Sequence, residues 1–271
     1  TSAASRRGPK ICPRRFIART RALRPTPEPP PGAAPAAPKL ETVACRFLVP
    51  KSAEGKDFHC ADLTVPESRR AAGGRTIKLH VAIMKGKEGG VPTIELVGGP
   101  GGSSEGLVGA VAAKTKRAQR EYGKILEKGD LVLFDQRGTG RSIPRLYYAM
   151  RSGEELTACR ARLEKDGADL SAYDTIENAD DVHDLKTALG VPKVDLHGIS
   201  YGTRLGIESM KRHGDDVRAA IIDGVMPPDV PVLGGVDEAA ADDPGERSAE
   251  EVERGALVGQ EVEAVLDLLA R

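Results

Sequence analysis

Leu196-His197-Gly198-Ile199-Ser200-Tyr201-Gly202-Thr203 is the stretch on which the reading of this chain turns. Within it, Gly198 to Gly202 match G-x-S-x-G, the pattern of a nucleophile elbow. There a serine stands out from the end of a strand on a turn so tight that its own backbone is strained. Glycines two before and two after it remove the Cβ atoms that would clash. The pattern is short, and ordinary Gly and Ser frequencies produce it by chance in roughly one of ten chains of this length. Its flanks therefore decide. Val194-Asp195-Leu196-His197, after the Gly190–Pro192 break, predicts a short strand, and Thr203 to Arg212, stopped by Gly214, predicts a helix. Strand before and helix after make Ser200 a candidate nucleophile, against the plainer reading of a strand-to-helix turn with a solvated serine.

Outward from the elbow, short apolar strands alternate with helical segments. Leu63-Thr64-Val65-Pro66, Thr76 to Met84, Thr93 to Val97, Leu131 to Phe134 and Ala219 to Ile222 read as strands. A helix capped by Asp174 or Thr175 carries Ile176, Ala179, Val182, Leu185 and Leu189 on one face and stops at Gly190. This alternation predicts an α/β domain whose largely parallel sheet is covered on both faces. His80 falls within a strand and reads as a strand side chain rather than a ligand.

Two loops at predicted strand ends bear on chemistry. Gly98-Gly99-Pro100-Gly101-Gly102-Ser103-Ser104 lacks the Lys and Ser/Thr of a phosphate-binding P-loop, and its glycines do not follow G-x-G-x-x-G. Its backbone N–H groups can instead form an oxyanion hole. Pro100 has no N–H, so Gly99 is the first candidate donor from this loop and Gly98 the second, and the Tyr201 N–H after the serine is the other donor. Asp135 and Arg137, in Asp135-Gln136-Arg137-Gly138-Thr139-Gly140-Arg141-Ser142, are expected to pair with each other and to hold their turn without a catalytic part.

The 271 residues, 39% hydrophobic, suffice for one large domain with its own core. Forty basic residues balance forty acidic ones, and aromatics make up 3% with no Trp, which points away from a nucleic-acid partner. No run of about 18 apolar residues exists to span a membrane. Residues 1–39 read as a disordered basic and Pro-rich segment, 40–230 as the core domain, and 231–271 as an acidic loop followed by an amphipathic helix. Arg14-Arg15-Phe16-Ile17 hints at a twin-arginine export signal, but no apolar segment follows it.

Four motifs then occur in one order: Gly98-Gly99-Pro100-Gly101, Asp135 to Ser142, Gly198 to Thr203, and Asp223-Gly224-Val225-Met226-Pro227-Pro228. Over roughly residues 45–230 they resemble the prolyl iminopeptidase and tripeptidyl aminopeptidase branch of the α/β hydrolases. The resemblance implies an α/β-hydrolase fold and a cofactor-free serine hydrolase, secreted or periplasmic, acting on a peptide or small acyl substrate. It assigns Ser200 as nucleophile with Gly99 and Tyr201 as oxyanion donors, and it suggests that Cys45 and Cys60 pair. Cys159 has no cysteine in Ile143 to Tyr148 where relatives carry its partner, so it is expected to be a free thiol.

The departures are as informative. In the family, the acid and the histidine base follow the elbow, beyond a helical cap. The histidine after Ser200 here is His213, about 15 Å away along a ten-residue helix, too far to serve. His197, just before the elbow, reads as a wall or core residue, and His183 falls on the preceding helix. The terminal helix resembles the first cap helix, so the chain is expected to lack the last strands, the acid and the base, and to show little activity by itself. An esterase of the same fold, and a non-catalytic degenerate or split hydrolase that binds peptides or a partner, are the alternatives.

Overall fold

The computed structural model describes residues 38–50, 54–70, 74–146 and 156–228. The basic N-terminal segment, except for its last two residues, and the acidic loop and amphipathic helix at 231–271 lie outside the described residues. Seven strands are present among the described residues: β1 (Leu40–Val43), β2 (Phe58–Pro66), β3 (Thr76–Met84), β4 (Thr93–Leu96), β5 (Leu131–Phe134), β6 (Val194–Ile199) and β7 (Val217–Asp223). They form one sheet in the order β1-β2-β3-β5-β4-β6-β7. The pairs β1/β2, β2/β3 and β3/β5 are antiparallel, and β5, β4, β6 and β7 are mutually parallel. Five strands therefore run one way, the mostly parallel sheet that was expected, with an antiparallel ribbon at the N-terminal edge.

The helices are α1 (Glu105–Ala112), α2 (Lys116–Leu126), α3 (Leu156–Lys165), α4 (Thr175–Ala188) and α5 (Tyr201–His213). α4 starts where its cap predicts, with the Asp174 side chain accepting from the Glu177 N–H. One face of the sheet buries Leu79, Val81, Ile94, Leu96 and Phe134 with Val182 and Leu185 of α4 and Leu205 of α5. The other buries Phe58, Met84, Leu131 and Leu133 with Val108 of α1 and Tyr122 and Ile125 of α2. Each such side chain, fully buried, contributes about 1.5–3 kcal/mol.

Strand β2 begins five residues before the predicted Leu63, and the reason is electrostatic. Asp62, unfavourable in a strand by propensity, is buried against the Arg46 guanidinium at 2.6 and 2.9 Å and His80 Nδ1 at 2.9 Å. Burial alone would raise the Asp62 pKa, but the bonds to Arg46 and His80 leave it below the ordinary value. His80 is the strand side chain expected: its Nε2 accepts from the Arg46 N–H at 3.0 Å, so Nδ1 carries the proton toward Asp62. The same edge is stapled by a Cys45–Cys60 disulfide, the pairing that the resemblance suggested. Closing that 15-residue loop is worth about 3 kcal/mol in the chain-entropy model. Cys159 is a free, buried thiol.

The expected Asp135–Arg137 pair does not form. The chain turns sharply after β5 and sends the two side chains apart. Arg137 is buried against α4, with Nε and Nη2 on Asp181 at 2.8 and 2.7 Å and Nη1 on the Glu67 and Ala172 carbonyls. Asp135 curls back over its own turn. Its Oδ1 accepts from the Ser104 N–H and its Oδ2 from the Arg141 N–H, each at 2.6 Å. Gly140 is required there, because a Cβ would stand 1.8 Å from Asp135 Oδ2. Both residues are structural, as expected, but with different partners.

Candidate active site

The loops that follow β4, β5, β6 and β7 leave the same edge of the sheet, because these four strands are parallel. That carboxyl edge is where open α/β sheets bind ligands. Ser200 sits there at φ 57°, ψ −122°, between the last residue of β6 and the first of α5. A non-glycine residue held at positive φ costs about 1–3 kcal/mol and persists only when its surroundings enforce it.

The enforcement is visible. A Cβ on Gly198 would stand 2.6 Å from the Gly202 carbonyl oxygen, and one on Gly202 would stand 1.8 Å from that of Leu96. The two motif glycines thus let α5 close onto the turn and onto the end of β4. The Ser200 N–H donates to the Asp223 carbonyl at 2.9 Å, tying the elbow to β7. The Ser200 carbonyl accepts from both the N–H and the hydroxyl of Thr203, at 2.9 and 2.6 Å. Thr203 Oγ1 also accepts from the Met226 N–H at 2.8 Å, so one buried threonine joins the elbow to the Asp223–Pro228 motif. The Tyr201 hydroxyl shares a hydrogen bond with Thr175 Oγ1 at 2.9 Å, and burial lifts its pKa above the ordinary value.

The glycine loop lies against the serine. A Cβ on Gly98 would stand 3.1 Å from Ser200 Cβ and 3.6 Å from Ser200 Oγ. Gly99, at φ +128°, turns the chain immediately beyond. Gln136 Nε2 donates to the Val97 carbonyl at 2.9 Å, which fixes the root of this loop from the β5 turn. Among the described residues, neither the Gly99 nor the Tyr201 N–H has a hydrogen-bond acceptor. Thr203 and Gln136 were not picked out from the sequence; their place beside the elbow and in the Asp-Gln-Arg-Gly turn is the signal that could have found them.

All five histidines fall within the described residues, and none bonds to Ser200. His80 is committed to Asp62 and His183 to Asp216. His197 is committed to Glu95 at 2.5 Å and His213 to Asp180 at 2.7 Å. His59 lies within β2, four strands from β6 in the sheet order. His197 is occupied away from Ser200, with Glu95 beside it on β4 and the Tyr122 ring edge-on at 6.0 Å. Burial would lower its pKa, but the hydrogen bond and charge of Glu95 carry it above the ordinary value. Burial likewise raises Asp135, outweighing its N–H donors. No described helix is long and apolar enough to cross a membrane.

A family model described as the alpha/beta hydrolase fold matches residues 106–249, more than half of the chain. The chain belongs to the α/β hydrolase family. Curated relatives of this α/β hydrolase carry both esterase and protease names. It is 31% identical over 192 residues to carboxylesterase B of Mycobacterium tuberculosis, covering 70% of this chain and 34% of that protein. It is 27% identical over 220 residues to the serine protease Hip1 of the same organism, covering 71% and 41%. It is 27% identical over 200 residues to a tripeptidyl aminopeptidase of Streptomyces coelicolor, covering 64% and 36%. The chain thus spans between a third and about two fifths of the length of these relatives.

Proposed function

We propose that the complete protein is a serine hydrolase that transfers an acyl group from a peptide to Ser200, as an aminopeptidase. The observation that carries this is the Ser200 backbone, held at φ 57° between two glycines that nothing larger could replace, with Gly98 packed against its side chain. In this reading the Gly99 and Tyr201 N–H groups stabilise the oxyanion, each worth about 10²–10³ in rate. In this reading none of the five histidines present is the proton acceptor for Ser200, since His80, His183, His197 and His213 are held by carboxylates and His59 lies four strands away. The Cys45–Cys60 disulfide supports an oxidising, secreted or periplasmic setting. The peptidase-named relatives Hip1 and tripeptidyl aminopeptidase favour a peptide substrate.

The esterase reading is favoured by the 31% identity to carboxylesterase B. A fluorophosphonate probe followed by peptide mapping tests what both readings share. Slow, stoichiometric modification of Ser200, lost in Ser200→Ala, is expected, and modification elsewhere refutes the assignment. A panel of N-terminal tripeptide anilides against short acyl esters, run on the complete protein, separates peptidase from esterase.

A further inference from the structure

Away from the elbow, three residues of metal-binding types converge from three elements. His183 lies on α4, His213 is the last residue of α5, and Asp216 closes the 3-10 turn Gly214–Asp216 that leads into β7. One ligand atom from each lies within 4.8 Å of the other two. The imidazole rings stack with centroids 4.3 Å apart and planes 19° apart. Each ring is already oriented by a carboxylate. His213 Nε2 is 2.7 Å from Asp180 Oδ1, and Asp180 is gripped by the Arg212 guanidinium at 2.8 and 2.9 Å. His183 Nδ1 is 2.5 Å from Asp216 Oδ2. The His213 ring, with Nε2 held by Asp180 and Nδ1 left over, has the carboxylate-oriented arrangement usual around bound zinc.

We propose that His183, His213 and Asp216 bind a divalent transition-metal cation such as Zn²⁺, which clips α4, α5 and the start of β7 together. The donor set is two imidazoles and one carboxylate, which suits Zn²⁺, Ni²⁺ or Cu²⁺ rather than Mg²⁺ or Ca²⁺. His213, held through Nε2, keeps Nδ1 for the metal. His183 ligates through Nδ1 once its proton moves to Nε2, and Asp216 ligates beside it. The 2.5 Å between those two atoms must open to about 3.4 Å, the span of two ligands at roughly 2.1 Å from a tetrahedral ion. One ring turns out of the stack in the same movement. Lys186 Nζ, 2.8 Å from Asp216 Oδ1, competes for the carboxylate. The site lies at the opposite end of α5 from Ser200, about 20 Å away at 1.5 Å per residue, so the cation is structural and takes no part in acyl transfer.

The test is calorimetric titration of the chelator-stripped 271-residue chain with ZnCl₂ at neutral pH, with MgCl₂ as control. One saturable zinc site per chain is expected, with a zinc-dependent rise in Tm. His183→Asn and His213→Asn should each weaken binding at least about tenfold, and Lys186→Met should tighten it. Circular dichroism without zinc checks that the variants fold. Should one not fold, Co²⁺ absorption of the unaltered chain decides: nitrogen and oxygen ligation shows no thiolate-to-metal band. Absence of saturable zinc binding, binding unchanged in the double histidine variant, or a cobalt–thiolate band each overturns the proposal.

Discussion

Substituting Gly202 by alanine puts the packing of the elbow to a quantitative test. Alanine is the better helix former by about 1 kcal/mol, so propensity alone predicts a gain in stability in the first turn of α5. The structure predicts a loss. The new Cβ would stand 1.8 Å from the Leu96 carbonyl oxygen and 2.7 Å from its carbon, both backbone atoms of the central strand β4. Neither can rotate aside, so α5 must retreat from the sheet by more than an ångström. Overpacking of that kind costs about 1–3 kcal/mol, and the retreat also strains the Ser200 bonds to Asp223 and Thr203. The net expectation is a destabilisation of about 1–2 kcal/mol. Two controls separate sterics from propensity. A Cβ on Gly206, one turn later, meets only the Leu96 Cδ1 side-chain atom at 3.3 Å and Ile222 Cγ2 at 3.8 Å, and one on Gly123 of α2 meets nothing. Gly206→Ala should be near neutral and Gly123→Ala stabilising by up to about 1 kcal/mol. Urea unfolding of the three variants reads the order directly. A Gly202→Ala midpoint equal to or above that of Gly123→Ala would refute the packing argument.

Thr203→Val keeps the shape but leaves the Met226 N–H without its acceptor and removes one of two donors to the Ser200 carbonyl; a loss of about 1–3 kcal/mol by urea unfolding is expected. Arg137→Met removes the cation buried against Asp181 and should cost about 3–5 kcal/mol, whereas an unchanged midpoint would show the network to be dispensable. His197 titrates above its ordinary pKa in the fold, so its protonated form is the one that Glu95 stabilises. That contribution is complete below about pH 6.5 and fades as pH rises through the folded pKa. The stability gap between the unaltered chain and His197→Gln should therefore be larger at pH 6 than at pH 9, and a gap that widens with pH would contradict the assignment.

The parallel half of the fold was legible because its strands carry short apolar runs, such as Leu131–Phe134 of β5, with a glycine or aspartate close behind. The elbow was legible for a steric reason, and the contacts at Gly198 and Gly202 now give that reason distances. β1 was not, because it is four residues long with Glu41 and Thr42 exposed, and the first half of β2 was not, because Asp62 and His59 break the apolar pattern and only the distant Arg46 and His80 make Asp62 tolerable. The partner of Arg137 was hidden likewise: Asp181 is 44 residues away, and the nearer Asp135 is consumed by backbone N–H groups. At the site, sequence order alone could not decide which glycine touches the serine. Gly98 packs against Ser200, while Gly99 makes the turn whose N–H is proposed to face the oxyanion.

In the proposed reading Ser200 and its oxyanion donors lie within these residues, and none of the five histidines is its proton acceptor. Chemical rescue tests this most directly. Hydrolysis of p-nitrophenyl butyrate by the 271-residue chain is followed against added imidazole, with Ser200→Ala subtracting the imidazole background. A weak Ser200-dependent rate that rises with imidazole and is insensitive to His197→Gln is expected. Fast turnover without imidazole that is abolished by replacing one of the five histidines, or a rate identical in Ser200→Ala, would contradict it.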